Sequence, residues 1–366
     1  MILALDARMQ QGVGTVVRNL ALRLAPNVEK LILLGDPAQI ETWGSFAGRV
    51  EVVPFTAPIY GWREQVGFPS SRLRGCNLLH VPHFNVPVRP LPCPLVCSIH
   101  DTAHLAGVLP ISRSYRLAAQ WYYRHAAHRA RHIITGSEFS KREVVERVGV
   151  DPARVTVVLD GVDTGVFYPR TEAETTLVLY SLGIRRPYLL VLGSVRPHKN
   201  VARVLEAFRK LKEGGIPHQL VVVGKREGFR ISEELPELPP AIAEHVVFTG
   251  FLSENEIMAL YSGADLFLFA SLYEGFGLPP LEAMACGAPV AVSRAASLPE
   301  VVGEAGAYFD PLSVEDIAQT VQRVLQSPEE RARLASAGRE RVAQLTWEQT
   351  ARGHLEVYKE YAGEVR

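Results

Sequence analysis

The sequence predicts an α/β protein built from two doubly wound, Rossmann-like domains. Three observations carry that expectation. Short apolar runs of strand length alternate with helical stretches along the whole chain, as parallel sheets with crossover helices require. The series is interrupted at Asp160-Gly-Val-Asp-Thr-Gly-Val-Phe-Tyr-Pro169, whose glycines, aspartates and proline mark a linker. The 366 residues, 47% of them apolar, suffice for two cores. The expected domains are residues 1–168 and 169–346.

In the first series, Met1-Ile-Leu-Ala-Leu-Asp6 reads as a strand, followed by Gly12-Val-Gly14-Thr15 and a helix to about Leu24. Strands are expected at 31–34, 50–53, 77–81 and 95–99. A helix then covers 112–131, 133–135 is a strand, Ser137 opens a helix, and 155–159 closes the series. The second series begins with a strand at 188–192 and a helix from about Asn200. Strands at 219–223 and 246–248 follow, then a helix from Ser253 and a strand at 265–270. Beyond it come strands at Val290 and Ala307 and helices over 314–326, 329–344 and 347–361.

The stretch 273–293 carries the most chemistry. A strand leads into a loop with Glu274, Gly275 and Gly277, and Pro279 and Pro280 suit the first turn of a short helix ended by Gly287 and Pro289. A helix mouth offers free N–H groups and a positive dipole end, which favour a phosphate. The two prolines leave Phe276, Gly277, Leu278, Leu281 and Glu282 as candidate donors. Glu282 is expected in the first turn, where an acceptor-only carboxylate suits a ribose diol. Glu274 would hold sugar hydroxyls or balance developing positive charge.

Glu274 and Glu282, set in Glu-Gly-Phe-Gly-Leu-Pro…Glu-Ala-Met-Ala-Cys-Gly-Ala-Pro-Val, closely resemble the retaining glycosyltransferases of family four. The likeness continues through Ser297-Leu-Pro-Glu-Val-Val-Gly-Glu-Ala-Gly306 and Phe309-Asp-Pro311. It implies the GT-B fold, two Rossmann-like domains facing a central cleft, with the segment 347–366 crossing back onto the first domain.

Other sites gain roles from that likeness. Gly12-Val-Gly14 opens a helix after a strand but lacks the third glycine of a dinucleotide fingerprint, because Val17 stands there. The resemblance assigns Gly12 and Gly14 to the donor diphosphate. His100, before Asp101, ends an apolar strand at the sheet edge where ligands bind, and resembles the family's cleft histidine; His104 is a weaker candidate. Arg196 and Lys199, in Gly193-Ser-Val-Arg-Pro-His-Lys-Asn200, are fixed cations suited to a leaving diphosphate. The family's arginine directly after the glycine is replaced here by Ser194, with Arg196 as its substitute. Phe251 and Leu252 lie where the family's base pocket begins. Lys225 and Arg226 end a strand and face either the same site or solvent. Ser253 with Glu256, and Ser297 with Glu300, both match capping boxes.

Composition excludes several classes. Net charge is zero, which argues against nucleic acid as a partner. Nothing approaches a membrane-spanning run, and Asp6 comes too early for a signal peptide, so a cytoplasmic location is expected. Cys93 and Cys97 lie near His80, His83 and His100, but the spacing is irregular for zinc, and buried free thiols are expected. Residues 112–132 are basic and aromatic. They read either as a core helix with arginines in water or as a contact for anionic lipid or a lipid-linked acceptor at the inner face of the cell membrane.

The implied activity is retaining transfer of a hexose from a nucleotide diphosphate sugar to a carbohydrate or lipid-linked acceptor hydroxyl, without cofactor or metal. Lys199, Arg196, Glu274 and His100 are the expected catalytic groups. Glu282, Gly275, Phe276, Gly277, Leu278, Phe251, Leu252, Gly12 and Gly14 are the expected substrate contacts. The Arg-Pro-His-Lys-Asn loop resembles mannosyltransferase members, which points to GDP-mannose and leaves UDP sugars open. A nucleotide-sugar isomerase or hydrolase, or a non-catalytic sugar-nucleotide binder, is the alternative.

Overall fold

A computed structural model describes residues 1–9, 12–193, 195–224 and 235–363. It contains two compact units, Met1–Ala106 with Ile111–Gly161 and Trp347–Arg366, and Gly107–Pro110 with Val162–Thr346.

The first unit is built on β1 (Ile2–Asp6), β2 (Lys30–Gly35), β3 (Val50–Pro54), β4 (Leu78–Val81), β5 (Leu95–Ser98), β6 (His132–Thr135) and β7 (Val155–Val157). Their order is β3-β2-β1-β4-β5-β6-β7, all parallel. Leu3 pairs with Leu31 on one side and Leu78 on the other. Residues 31–34 are all buried, as a strand covered on both faces requires. The helix Trp347–Tyr361 belongs to this unit. Tyr358 Oη lies 2.7 Å from His80 Nδ1, and Thr350 Oγ1 donates to the Leu159 carbonyl at 2.8 Å.

The second unit is built on β8 (Tyr188–Leu192), β9 (Gln219–Val223), β10 (Val246–Gly250), β11 (Leu266–Phe269), β12 (Val290–Ser293) and β13 (Gly306–Phe309). They form a parallel sheet in the order β10-β9-β8-β11-β12-β13. The doubly wound architecture read from the sequence is therefore present twice. In each sheet the winding reverses at one place, between β1 and β4 and between β8 and β11. Loops leave a reversal point in opposite directions and open a crevice at the carboxyl ends of the strands.

Strand positions match the apolar runs to within a residue or two. The unforeseen elements are mostly short. Pro37–Glu41, Trp62–Gly67, Ala103–Ala106 and Pro240–Ala243 span one or two turns, too little for a period to show. Glu172–Ser181 is longer and carries a capping box from Thr171 and Glu174.

Candidate active site

The winding reversal of the second sheet brings together two loops that are far apart in sequence. The loop after β8 carries Lys199, and the loop after β11 carries Glu274. Lys199 Nζ donates to Glu274 Oε1 at 2.6 Å, and both side chains are largely covered. The ammonium also sits 5.3 Å from the centre of the Phe269 ring.

Each loop is pinned by local chemistry. Asn200 is fully buried at φ 60°, and its amide donates to the carbonyls of Ala270 at 3.2 Å and Pro311 at 2.7 Å. That ties the Lys199 loop to the end of β11 and to Phe309-Asp-Pro311. Leu272 N–H donates to the His198 carbonyl at 2.7 Å. Gly193, at φ 154°, takes a backbone conformation that side-chain-bearing residues rarely adopt, and the Lys199 stem packs over it. Burial lowers the His198 imidazole to about 4, so it is neutral beside the lysine.

The Glu274 loop is stapled by Ser297, whose buried hydroxyl lies 2.9 Å from the Glu274 carbonyl and 2.7 Å from that of Phe276. This corrects the capping box expected of Ser297 and Glu300. Ser297 makes no side-chain cap: its backbone is helical, at φ −79° and ψ −13°, rather than extended as a capping residue requires, and its hydroxyl donates toward the loop carbonyls instead. The box at Ser253 and Glu256 does form, with both reciprocal bonds.

The short helix is Leu278–Ala285, with Pro279 and Pro280 in its first turn and Gly277 as N-cap at φ 108°. Starting there leaves the N–H groups of Gly277 and Leu278 at the mouth; those of Leu281 and Glu282 fall inside the helix ladder, against expectation. Glu282 lies in the second turn, so it is not a first-turn dipole partner. It instead faces Tyr261, whose hydroxyl donates to Glu282 Oε2 at 3.3 Å. Burial raises its carboxyl to about 7, and the Tyr261 bond only partly offsets this.

Arg196 is exposed at the start of its loop. Phe251 is exposed and Leu252 half-buried just beyond β10. Gly275 and Phe276 lie in the Glu274 loop, with Phe276 buried. Ser194, Lys225 and Arg226 lie outside the described residues.

In the first unit, His100 follows β5. Its Nε2–H donates to the Pro82 carbonyl at 3.2 Å, which makes Nδ1 the acceptor. Burial lowers its pKa, so a neutral imidazole offers a lone pair to hydroxyls rather than a cation to a pyrophosphate. Asp101 Oδ1 accepts from Ala103 N–H at 2.9 Å, capping the next turn, while its charge partly offsets the burial of His100. His104 Nδ1 lies 3.4 Å from Tyr123 Oη. Gly12 starts the helix Val13–Leu24 at φ 31°, and at Gly14 a Cβ would lie 2.6 Å from the Met9 carbonyl oxygen. The glycine at 14 is thus required by close backbone approach.

The four cysteines are buried and free. Among the described residues no helix is long and apolar enough to cross a membrane. The helix Arg113–Arg129 buries Tyr123 but leaves Tyr115, Leu117 and Trp121 exposed, so only part of its aromatic content serves the core.

Asn200, Ser297 and Tyr261 complete the site. Asn200 sat inside the recognised loop, but its structural task leaves no mark in residue type. Tyr261 reads as an ordinary apolar position of its helix, and only the fold brings it to Glu282.

A family model described as Glycosyltransferase Family 4 matches residues 11–166, and one described as Glycosyl transferases group 1 matches residues 181–341. O-antigen chain mannosyltransferase B of Escherichia coli is 32% identical over 248 residues, 63% of this chain and 61% of that protein. MMP α-(1→4)-mannosyltransferase of Mycolicibacterium hassiacum is 32% identical over 281 residues, 73% of this chain and 65% of that protein. The chain thus spans less than two thirds of the length of these relatives. Among solved structures, HepE of Anabaena in complex with UDP-glucose superposes with a TM-score of 0.76 at 17% identity, covering 98% of this chain and 100% of that one. Sucrose-phosphate synthase of Thermosynechococcus elongatus gives 0.74 at 20% identity, covering 98% of each.

Proposed function

The chain belongs to the group 1 glycosyl transferases of family four, and we propose that it is a retaining hexosyltransferase using a nucleotide diphosphate sugar. The observation that carries this reading is the Lys199–Glu274 pair at the winding reversal, beside the glycine-capped mouth of Leu278–Ala285. Lys199, Arg196 and the N–H groups of Gly277 and Leu278 take the diphosphate. Glu282, ionised as hydroxyls bond to it, takes the ribose. Glu274, freed as Lys199 turns to phosphate, takes the sugar.

Charge on the departing diphosphate is then met by fixed donors, the preorganised stabilisation that dominates most enzyme rate enhancements. In this reading Glu274, paired with Lys199, and Glu282, bonded by Tyr261, bind hydroxyls and neither carboxylate is assigned as a nucleophile. That leaves a front-face route in which the leaving phosphate helps deprotonate the acceptor. His100, neutral and acceptor-faced, orients a hydroxyl. Cations and helix ends supply the electrostatics, so neither metal nor cofactor is required.

Mannose from GDP-mannose is the preferred donor, supported by the mannosyltransferases among the relatives. The product is a polysaccharide or glycolipid made in the cytoplasm. The exposed Tyr115, Leu117 and Trp121 on an arginine-rich helix support peripheral contact with anionic lipid.

The test is a thermal-shift panel of GDP-mannose, UDP-glucose and UDP-N-acetylglucosamine, since a bound donor stabilises the fold. Nucleotide release is then measured with and without mannose-terminated acceptors, and anomeric configuration by NMR. Release independent of acceptor, or an inverted product, refutes the reading.

A further inference from the structure

The winding reversal of the first sheet holds a second polar constellation that the transfer chemistry above does not use. Arg8 follows β1 and is almost wholly covered. Its guanidinium donates to both Asp6 oxygens, at 2.8 and 2.5 Å, to Glu64 Oε1 at 2.6 Å and to the Ala57 carbonyl at 3.1 Å. The other Glu64 oxygen accepts from Asn85 Nδ2 and from Tyr60 N–H, the latter at 2.9 Å. Asn85 N–H in turn donates to His83 Nδ1 at 3.0 Å.

That last bond fixes the tautomer. A backbone N–H can only donate, so His83 Nδ1 is the acceptor and the ring proton sits on Nε2. Nε2 lies 2.8 Å from Tyr60 Oη and donates to it. The phenol therefore receives a hydrogen bond from the protein, and its own hydrogen is directed away from His83. Burial lowers the His83 pKa to about 3, which keeps this arrangement across the working pH range.

Tyr60 is also strained. It stands third in the turn closed by Gly61 N–H to the Pro58 carbonyl, at φ 70°, where glycine is usual and a bulky side chain is an outlier. Glycine is present one position later, at 61. Tyr60 is 49% exposed as a residue, and Trp62, two positions on, is 72% exposed. Strain held in place by a complete polar frame, with an aromatic side chain left partly in water, is the pattern of a ligand contact.

We propose that Tyr60 Oη, oriented by His83, is the donor that grips an uncharged sugar ring of the acceptor, beside the aromatic cluster that Tyr60 forms with His83 and Phe84. This rests on the transferase reading for the word acceptor, but the binding claim stands apart from it. The charge distribution selects the ligand class. Among the groups that frame the Tyr60 hydroxyl, Arg8 is enclosed by two carboxylates and His83 and His100 are neutral, so the frame itself offers no cation to a phosphate; the exposed Arg63 lies against the Trp62 ring, its guanidinium 5.8 Å from the ring centre. A sugar ring presents hydroxyl acceptors for the phenol and an apolar face for the aromatic rings.

The experiment titrates methyl α-mannopyranoside and α-linked mannobiose into the full chain by saturation-transfer NMR, with mannose 6-phosphate as the charged control. Tyr60→Phe keeps the ring and removes the donor, so affinity for the neutral sugars should fall about tenfold. Tyr60→Asn tolerates positive φ, so it should melt at an equal or higher temperature yet bind at least tenfold more weakly. The proposal is overturned if wild type binds no neutral sugar, if Tyr60→Phe binds equally well, or if the phosphorylated sugar binds more tightly. Nucleotide-sugar binding is followed separately by thermal shift. Sugar binding that depends on Tyr60 without any nucleotide binding would remove the transferase reading and leave this one intact.

Discussion

The two sheets share a winding scheme and place their reversal points alike, yet the two crevices are chemically opposite. In the second unit, a lysine and a glutamate meet across loops lined by glycine, beside a helix mouth with open N–H groups. In the first, an arginine is locked between two carboxylates and covered, and neutral imidazoles and aromatic rings form the lip. Topology therefore supplies the place, and side-chain charge supplies the choice of ligand. An exchangeable ion pair suits a charged ligand, because phosphate can replace the carboxylate. A saturated ion triad is scaffold.

If Arg8 is scaffold, its loss should cost stability before anything else. Arg8→Met leaves Asp6 and Glu64 buried without a cation, and about 3–5 kcal/mol of unfolding free energy should be lost in urea titrations. A variant of wild-type stability would place Arg8 with the exchangeable cations instead. Lys199→Ala is the counterpart. It should lower turnover by about 10²–10³-fold, measured by nucleotide release, while the melting temperature barely moves. A stability loss matching that of Arg8→Met would erase the distinction.

Glu282 sharpens the contrast through pH. Its carboxyl sits at about 7, and diol donors favour the ionised form. Donor affinity should be full above pH 7 and weaken as pH falls through it, by up to tenfold per unit, in calorimetric titrations. In Glu282→Gln that dependence should vanish.

The histidines of the first unit act in the other direction, on stability. Burial holds His354 at about 4 and His80 well below its usual value. Both are depressed imidazoles, so the unfolded chain binds protons first. Stability should be complete above about pH 6.5 and fall below it, with His354 contributing about 1.4 kcal/mol per unit down to about pH 4 and His80 acting in the same direction, read from urea midpoints. A flat profile would mean that these rings are not held neutral. The smallest effect expected is from Ser297→Ala, which removes one loop staple and should cost about 1 kcal/mol while raising the donor Kd severalfold.

Much of this was readable in residue order. Buried parallel strands are continuous apolar runs, so both sheets could be placed to within a residue or two. Glycine and proline punctuate backbone geometry directly, which is why the glycine loop before 278, the two-proline helix start and the Gly12–Gly14 turn were legible. Lys199, Glu274 and Glu282 stood out because charged groups in such frames are hard to explain otherwise.

The misreadings share a cause. Ser297 matched a capping box by spacing, but its hydroxyl met two nearer carbonyls 21 and 23 residues back in the chain. Glu282 was placed one turn early, because a helix start is read only to within a few residues. Tyr261, Arg8 and Tyr60 gave no local signal, and Asn200 lay in a marked loop without any sign of its structural task.

By itself, then, the amino-acid order determined the strands, the glycine turns and the acidic and basic residues available for chemistry, since each follows from local periodicity or backbone restraint. Only the tertiary structure decided which charges are spent and which remain exchangeable. Pairing depends on which loops a winding reversal brings within 3 Å, and that distance is set by the whole sheet rather than by any neighbour in sequence.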